Sequence, residues 1–187
     1  MKHLLALLLV STLAAVSACG GGGGGGTDLS GSAINFTLGN ETVRIDKTTE
    51  YTVDIPSAGN VVTIGAGNTV THVIVTGVNN SLIVENSALI RAMEITGANT
   101  SVSLGTTVTV PRLDIFGANA TLTVRAGDRI DRLNISGSNA VVNILDLSAV
   151  VPIINMTGSN ITVRVPTGFL PSTTITNTGA NNVVTQQ

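Results

Sequence analysis

The chain has 187 residues, of which 43% are hydrophobic, 2% aromatic and 11% charged, with a formal net charge of −2. That length points to one domain, too apolar and too poor in charge for disorder and too rich in Val, Ile, Thr, Asn and Gly for a helical bundle. With Lys2 in a segment that reads as cleaved, eight basic residues face eleven acidic ones; no basic patch is available to neutralise phosphates, which argues against nucleic acid as a partner.

The first 18 residues read as an export signal. Lys2 and His3 form a short polar start, Leu4 to Ala15 is apolar, and small residues lead to Cys19, the one cysteine of the chain. The apolar run is shorter than the roughly 20 residues that span a bilayer. Val16-Ser17-Ala18-Cys19 resembles the bacterial lipobox, which implies a lipoprotein whose Cys19 thiol carries diacylglycerol, with palmitate among its lipids. A lone cysteine at the cleavage point has no disulfide partner to explain it otherwise. Gly20 directly after Cys19 is similar to the pattern of lipoproteins sorted to the outer membrane, so the expected location is the bacterial cell envelope.

Residues 19–32 follow as a tether. Seven glycines, Gly20 to Gly26, precede "TDLSGS"; no Lys-Ser or Lys-Thr follows and no strand precedes, so this is not a phosphate-binding loop. About twelve such residues reach roughly 20 Å.

From residue 33 to 187 the chain is periodic. Gly-x-Asn recurs as Gly77/Asn79, Gly97/Asn99, Gly117/Asn119, Gly137/Asn139, Gly158/Asn160 and Gly179/Asn181, at steps of 20, 20, 20, 21 and 21 residues. Aliphatic residues hold fixed offsets from each glycine. Val73/Val75, Met93/Ile95, Leu113/Ile115 and Leu133/Ile135 precede it; Leu82/Val84, Val102/Leu104, Leu122/Val124 and Val142/Ile144 follow it. Alternation at period two predicts short strands, two or three per repeat. With a fifth position at Val70, Ile90, Val110, Ile130 and Val151, five aliphatic side chains per repeat cannot offset the ordering of a whole repeat, so the units must stack. The expected fold is all-β, a single-stranded parallel β-solenoid of about 20 residues per coil and about seven to eight coils. Right-handed winding follows from the crossover rule.

Because Val75, Gly77 and Asn79 share parity, the pattern places glycine and asparagine in the inward row at a corner. Glycine leaves space and accepts positive φ there. Asn79, Asn99, Asn119, Asn139 and Asn160 would stack as an amide ladder. "NISGSNAVVNI" and "NMTGSNITVRV" resemble the Ser-Gly-Ser-Asn-Asn-type repeats of an uncharacterised family of bacterial exported proteins and lipoproteins, over about Val53 to Val184. The resemblance implies a parallel β-helix and an envelope location, and no catalytic residues.

Few residues are suited to chemistry. His72 lies at outward parity, so neither a metal site nor a Cys or Ser nucleophile is expected, and no cofactor. Glu94 and Asp114 share an outward row one coil apart, about 5 Å, a spacing that suits a retaining glycosidase. Arg112 and Arg132 lie in the neighbouring row, and diagonal pairs Glu94–Arg112 and Asp114–Arg132 would neutralise both acids. Thr76, Thr96, Ser136, Thr157 and Thr178 form an outward hydroxyl row interrupted by Phe116, an exposed aromatic and the candidate surface contact. In the C-terminal region, Phe169 is expected to cover the last regular coil.

Three functions remain open. The first is a non-catalytic envelope module, lipid-anchored, that binds or scaffolds an envelope protein or glycan through a lateral face. The second is a structural element that self-associates by end-to-end stacking. The third is a carbohydrate-active protein using Glu94 and Asp114.

Overall fold

The computed structural model describes residues 26–187; the leader over residues 1–18 and the lipidation site Cys19 lie outside the described residues. The described chain winds into a parallel β-solenoid of eight coils, with one 3-10 turn at Leu170–Ser172 as its one helical element among the described residues. Each coil contributes to two sheets. The first contains β1 (Ala33–Asn35), β3 (Tyr51–Ile55), β5 (Thr69–Val75), β7 (Leu89–Ile90) with β8 (Ala92–Ile95), β10 (Thr109–Ile115), β12 (Arg129–Ile135), β14 (Ile153–Met156) and β16 (Thr174–Asn177). The second contains β2 (Thr42–Ile45), β4 (Val61–Ile64), β6 (Ser81–Val84), β9 (Ser101–Leu104), β11 (Thr121–Val124), β13 (Val141–Ile144), β15 (Thr162–Val165) and β17 (Val183–Gln186).

The register turns the sequence period into columns. Val53, Val73, Met93, Leu113, Leu133, Ile154 and Ile175 are successive partners on the first sheet. Val62, Leu82, Val102, Leu122, Val142, Val163 and Val184 are their counterparts on the second. From Val53 to Ile154 and from Val62 to Val163 these side chains are buried, and together they form one continuous core. In β5, β10 and β12 two outward residues stand between the first two inward ones, so the chain bends within the strand.

The Gly-x-Asn corner departs from its expected form in two respects. Asn79, Asn99, Asn119, Asn139, Asn160 and Asn181 carry the positive φ, between 54° and 58°. The left-handed backbone turns their side chains outward, and the following residue, Asn80, Thr100, Ala120, Ala140 or Ile161, points into the core instead. The preceding glycines do not take positive φ. They are needed for close approach: a Cβ on Gly97, Gly117, Gly137 or Gly158 would overlap the carbonyl oxygen of the glycine one coil earlier.

A second corner carries no constant motif. Its left-handed position is filled by Gly67, Ser87, Thr107 and Gly127 on successive coils and, two coils further on, by Gly168, with φ of 68°, 60°, 59°, 70° and 92°. The next residue again points inward: Asn68, Ala88, Val108, Asp128 and Phe169 are all buried. Phe169, 2% exposed, fills this position beside the 3-10 turn.

Part of the stretch read as tether is held against the first coil. The Thr27 backbone amide donates to Glu41 Oε1 at 3.1 Å. Leu29 packs on the core, and Lys47 Nζ donates to the carbonyls of Leu29 and Gly31 at 2.7 and 2.6 Å.

Candidate functional site

The outer face of the first sheet collects most of the chemistry that the sequence offers. Strand pairing sets Ala92, Arg112 and Arg132 side by side in one column, and Glu94, Asp114 and Asn134 in the next. Phe116 follows directly after β10 and is 47% exposed, with Thr96 and Ser136 exposed on neighbouring coils. Ala92 is the small member of its column. The gap above it forms a recess of about 120 Å³, lined by His72, Ala92, Met93, Glu94, Arg112 and Asp114.

The two carboxylates of this recess are unequal. Asp114 is 4% exposed and both its oxygens are engaged. Arg112 Nε donates to Oδ2 at 2.6 Å, and Asn134 Nδ2 donates to Oδ1 at 2.5 Å. Asn155 Nδ2 in turn donates to Asn134 Oδ1 at 2.7 Å, so a second, shorter ladder ends on the Asp114 charge. The expected diagonal pairs do not form. Arg112 and Asp114 sit two apart on one strand, on the same face, and meet there before either reaches the next coil. Glu94 is half-buried and, among the described residues, has neither a hydrogen bond nor an ion pair. Arg132 has no ion-pair partner among them either, and it lies directly opposite Arg112, an arrangement unfavourable for like charges.

These geometries define what the face can do. Asp114 is a structural carboxylate: its two acceptor positions hold Arg112 and Asn134, and neither is turned to a ligand. The Arg112 head, anchored at Nε, keeps its remaining N–H groups at the surface, where its side chain is 64% exposed. Beside it Arg132 adds an uncompensated positive charge. An aromatic ring, two guanidiniums, one free carboxylate and a recess that accepts a small polar group suit binding of a polar partner. Among the described residues, no group of three or more His, Cys, Asp or Glu side chains is placed to hold a metal ion.

The predicted corner residues lie on a different edge. Asn99, Asn119, Asn139, Asn160 and Asn181 each donate Nδ2 to Oδ1 of the asparagine one coil earlier, at 2.9–3.3 Å. The ladder ends at Asn79 because Gly59 holds the left-handed position on the coil before. Sequence reasoning passed over two further polar groups. Asp128, 0% exposed, accepts from the backbone amides of Val108 and Arg125 at 2.8 and 2.6 Å. Burial pushes its carboxyl up from the ordinary value, against the pull of those two amides. Arg44 joins Asp46 and Glu85 across the intervening Gly65, which holds Glu85 below the usual carboxylate range. For Asp128 the available signal was a charged residue at the offset from the glycine that holds Ala88 and Val108 on the two preceding coils.

Fold and face together define a β-solenoid with one amide-laddered corner and one polar, aromatic-bearing side. Compared with known proteins, the chain matches no family model, no curated protein and no solved structure.

Proposed function

We propose that this protein is a non-catalytic module of the bacterial cell envelope, lipid-anchored through Cys19 at the outer membrane, that binds an envelope glycan or protein with the outer face of its first sheet. The observation that carries this reading is that Phe116 and Arg132, both exposed and the latter without an ion-pair partner among the described residues, share the outer face of the first sheet with the recess at Ala92. An exposed ring offers a stacking surface for the apolar face of a sugar, and the guanidiniums four residues along the same face can fix the orientation of a partner that spans both through paired hydrogen bonds. Anchored modules of this kind need no deep cleft, because tethering raises the local concentration of their partner.

The carbohydrate-active alternative requires Asp114 as nucleophile or acid. The engagement of both its oxygens favours a glycan held there over one cleaved there. The self-associating alternative is favoured by β16 and β17, each paired on one side only in this structure.

The test uses the full chain expressed in a bacterial host and a panel of envelope polysaccharides. Phe116→Ala and Arg132→Ala should each weaken retention by about fivefold or more, at unchanged melting temperature. Cys19→Ser should move the protein from the membrane to the soluble fraction. Retention unchanged in both surface variants sinks the lateral-face reading; membrane association unchanged in Cys19→Ser sinks the anchor.

A further inference from the structure

The two ends of the solenoid are not alike. In the last coil Ile175 and Val184 are only partly buried. In the first coil Val43 is likewise partly buried, but Ile34, Phe36 and Ile45 are 1%, 0% and 0% exposed, although β1 and β2 also pair on one side only. The cover over the first coil is residues 27–31. Attached at Glu41 just before β2 and at Lys47 just after it, they run alongside β2 in its own direction, where the strand of a preceding coil would lie.

We propose that residues 27–31 are a strap that closes the first coil against strand addition by a second copy of this chain, with Lys47 as its latch. Three features carry the inference. First, the attachment is by side chains at two points. Thr27 bonds Glu41 through both its amide and its hydroxyl, and Lys47 Nζ donates to the carbonyls of Leu29, Ser30 and Gly31 at 2.7, 3.3 and 2.6 Å. An ammonium has three hydrogens, and all three are taken by the strap. Second, among the described residues no backbone hydrogen bond joins 27–31 to β2, so the strap occupies the edge without satisfying it. Such a cover is releasable, because no ladder has to break. Third, the columns of the solenoid repeat coil after coil, so an edge that accepts its own next coil accepts the same coil from another molecule. The outer edges of β16 and β17 are the matching surface. That contact is head-to-tail and does not close, so release of the strap leads to open-ended growth.

The strap is also the segment through which a lipid anchor on Cys19 would pull on the domain, but the closure stands on the contacts alone. In the full chain, Lys47→Met keeps the aliphatic stem and removes the three donors. Hydrogen exchange should then rise about tenfold or more in residues 27–31 and at the outward amides of β1 and β2. Protection in β9 and β11 should stay unchanged, and sedimentation should show assemblies that grow with concentration where the wild type shows none. Lys47→Met with wild-type exchange at β2 and no assembly overturns the proposal, and so does a wild type that already grows without limit. Should Lys47→Met also lose protection in β9, Leu29→Ser, which removes only the apolar contact, is read in the same way and decides.

Discussion

Asn119 shows how much a single exposed residue contributes to this molecule. Its φ of 56° is a conformation that asparagine tolerates better than any other residue with a Cβ. Its amide both donates to Asn99 and accepts from Asn139. Its backbone amide donates to the Ser138 carbonyl on the next coil at 2.8 Å. Asn119→Ala removes two ladder bonds and places alanine in a left-handed conformation, so we expect a loss of about 1–3 kcal/mol by chemical denaturation. Asn119→Gly removes the same bonds but relieves the backbone, and should lose less. If both variants lose equally, the backbone conformation contributes nothing and the ladder alone stabilises the corner. Ala120, next in sequence, is 1% exposed, so a polar substitution there is no neutral control. Glycine and asparagine thus divide the corner: close approach falls to one and left-handed backbone to the other.

At the scale of the element, the second corner replaces a constant motif with a position filled differently in each coil. Asn68 serves one coil as an amide acceptor for the Lys47 backbone N–H at 2.9 Å, and Asp128 serves a later coil as a buried carboxylate for Val108. Because burial raises the Asp128 pKa in the folded state, the folded chain holds a proton there that the unfolded chain releases earlier. The resulting stability is full below the ordinary carboxylate value and is lost as pH rises through the raised folded value. Asp128→Asn removes this titration. The stability of the variant relative to wild type should therefore rise from about pH 4 to about pH 7, measured by urea midpoints at both. A difference independent of pH would show that the two backbone amides fully compensate the burial. The titrations of Glu85, Asp28 and Asp146, all lowered, are common to both proteins and cancel in the difference.

At the scale of the whole molecule, the coil is the unit that can be added or removed. Deleting residues 98–117 joins Gly97 to Ala118 and leaves every column in register. The shortened protein should keep its β-sheet circular dichroism and cooperative unfolding, with a rod about 4.8 Å shorter. Deleting residues 98–107 removes half a coil, delivers first-sheet residues to the second sheet, and should abolish cooperative unfolding. Equal behaviour of the two deletions would mean that the columns do not govern the fold. The same periodicity explains the lateral face. Outward columns such as Ala92, Arg112 and Arg132 are free to vary because they bear no part of the core, and on this face the chain places the exposed ring of Phe116 and, unpaired among the described residues, Glu94 and Arg132.

The sequence by itself determined the architecture. A period of 20 residues with aliphatic side chains at fixed offsets can be buried only by stacking, and the asparagine recurring at one corner from Asn79 onward was legible as a ladder for the same reason. The division of labour at that corner was not legible, since alternation predicts which face a side chain takes only while the backbone stays extended, and a left-handed residue reverses it. Nor was the state of Asp114: its neighbours Arg112 and Asn134 stand two and twenty residues away, and which of several reachable partners it takes depends on strand geometry. The strap over the first coil was least legible of all. Thr27 with Glu41 and Leu29 with Lys47 are single contacts outside the repeat, and a contact that occurs once leaves no period to read; only the tertiary structure decided it.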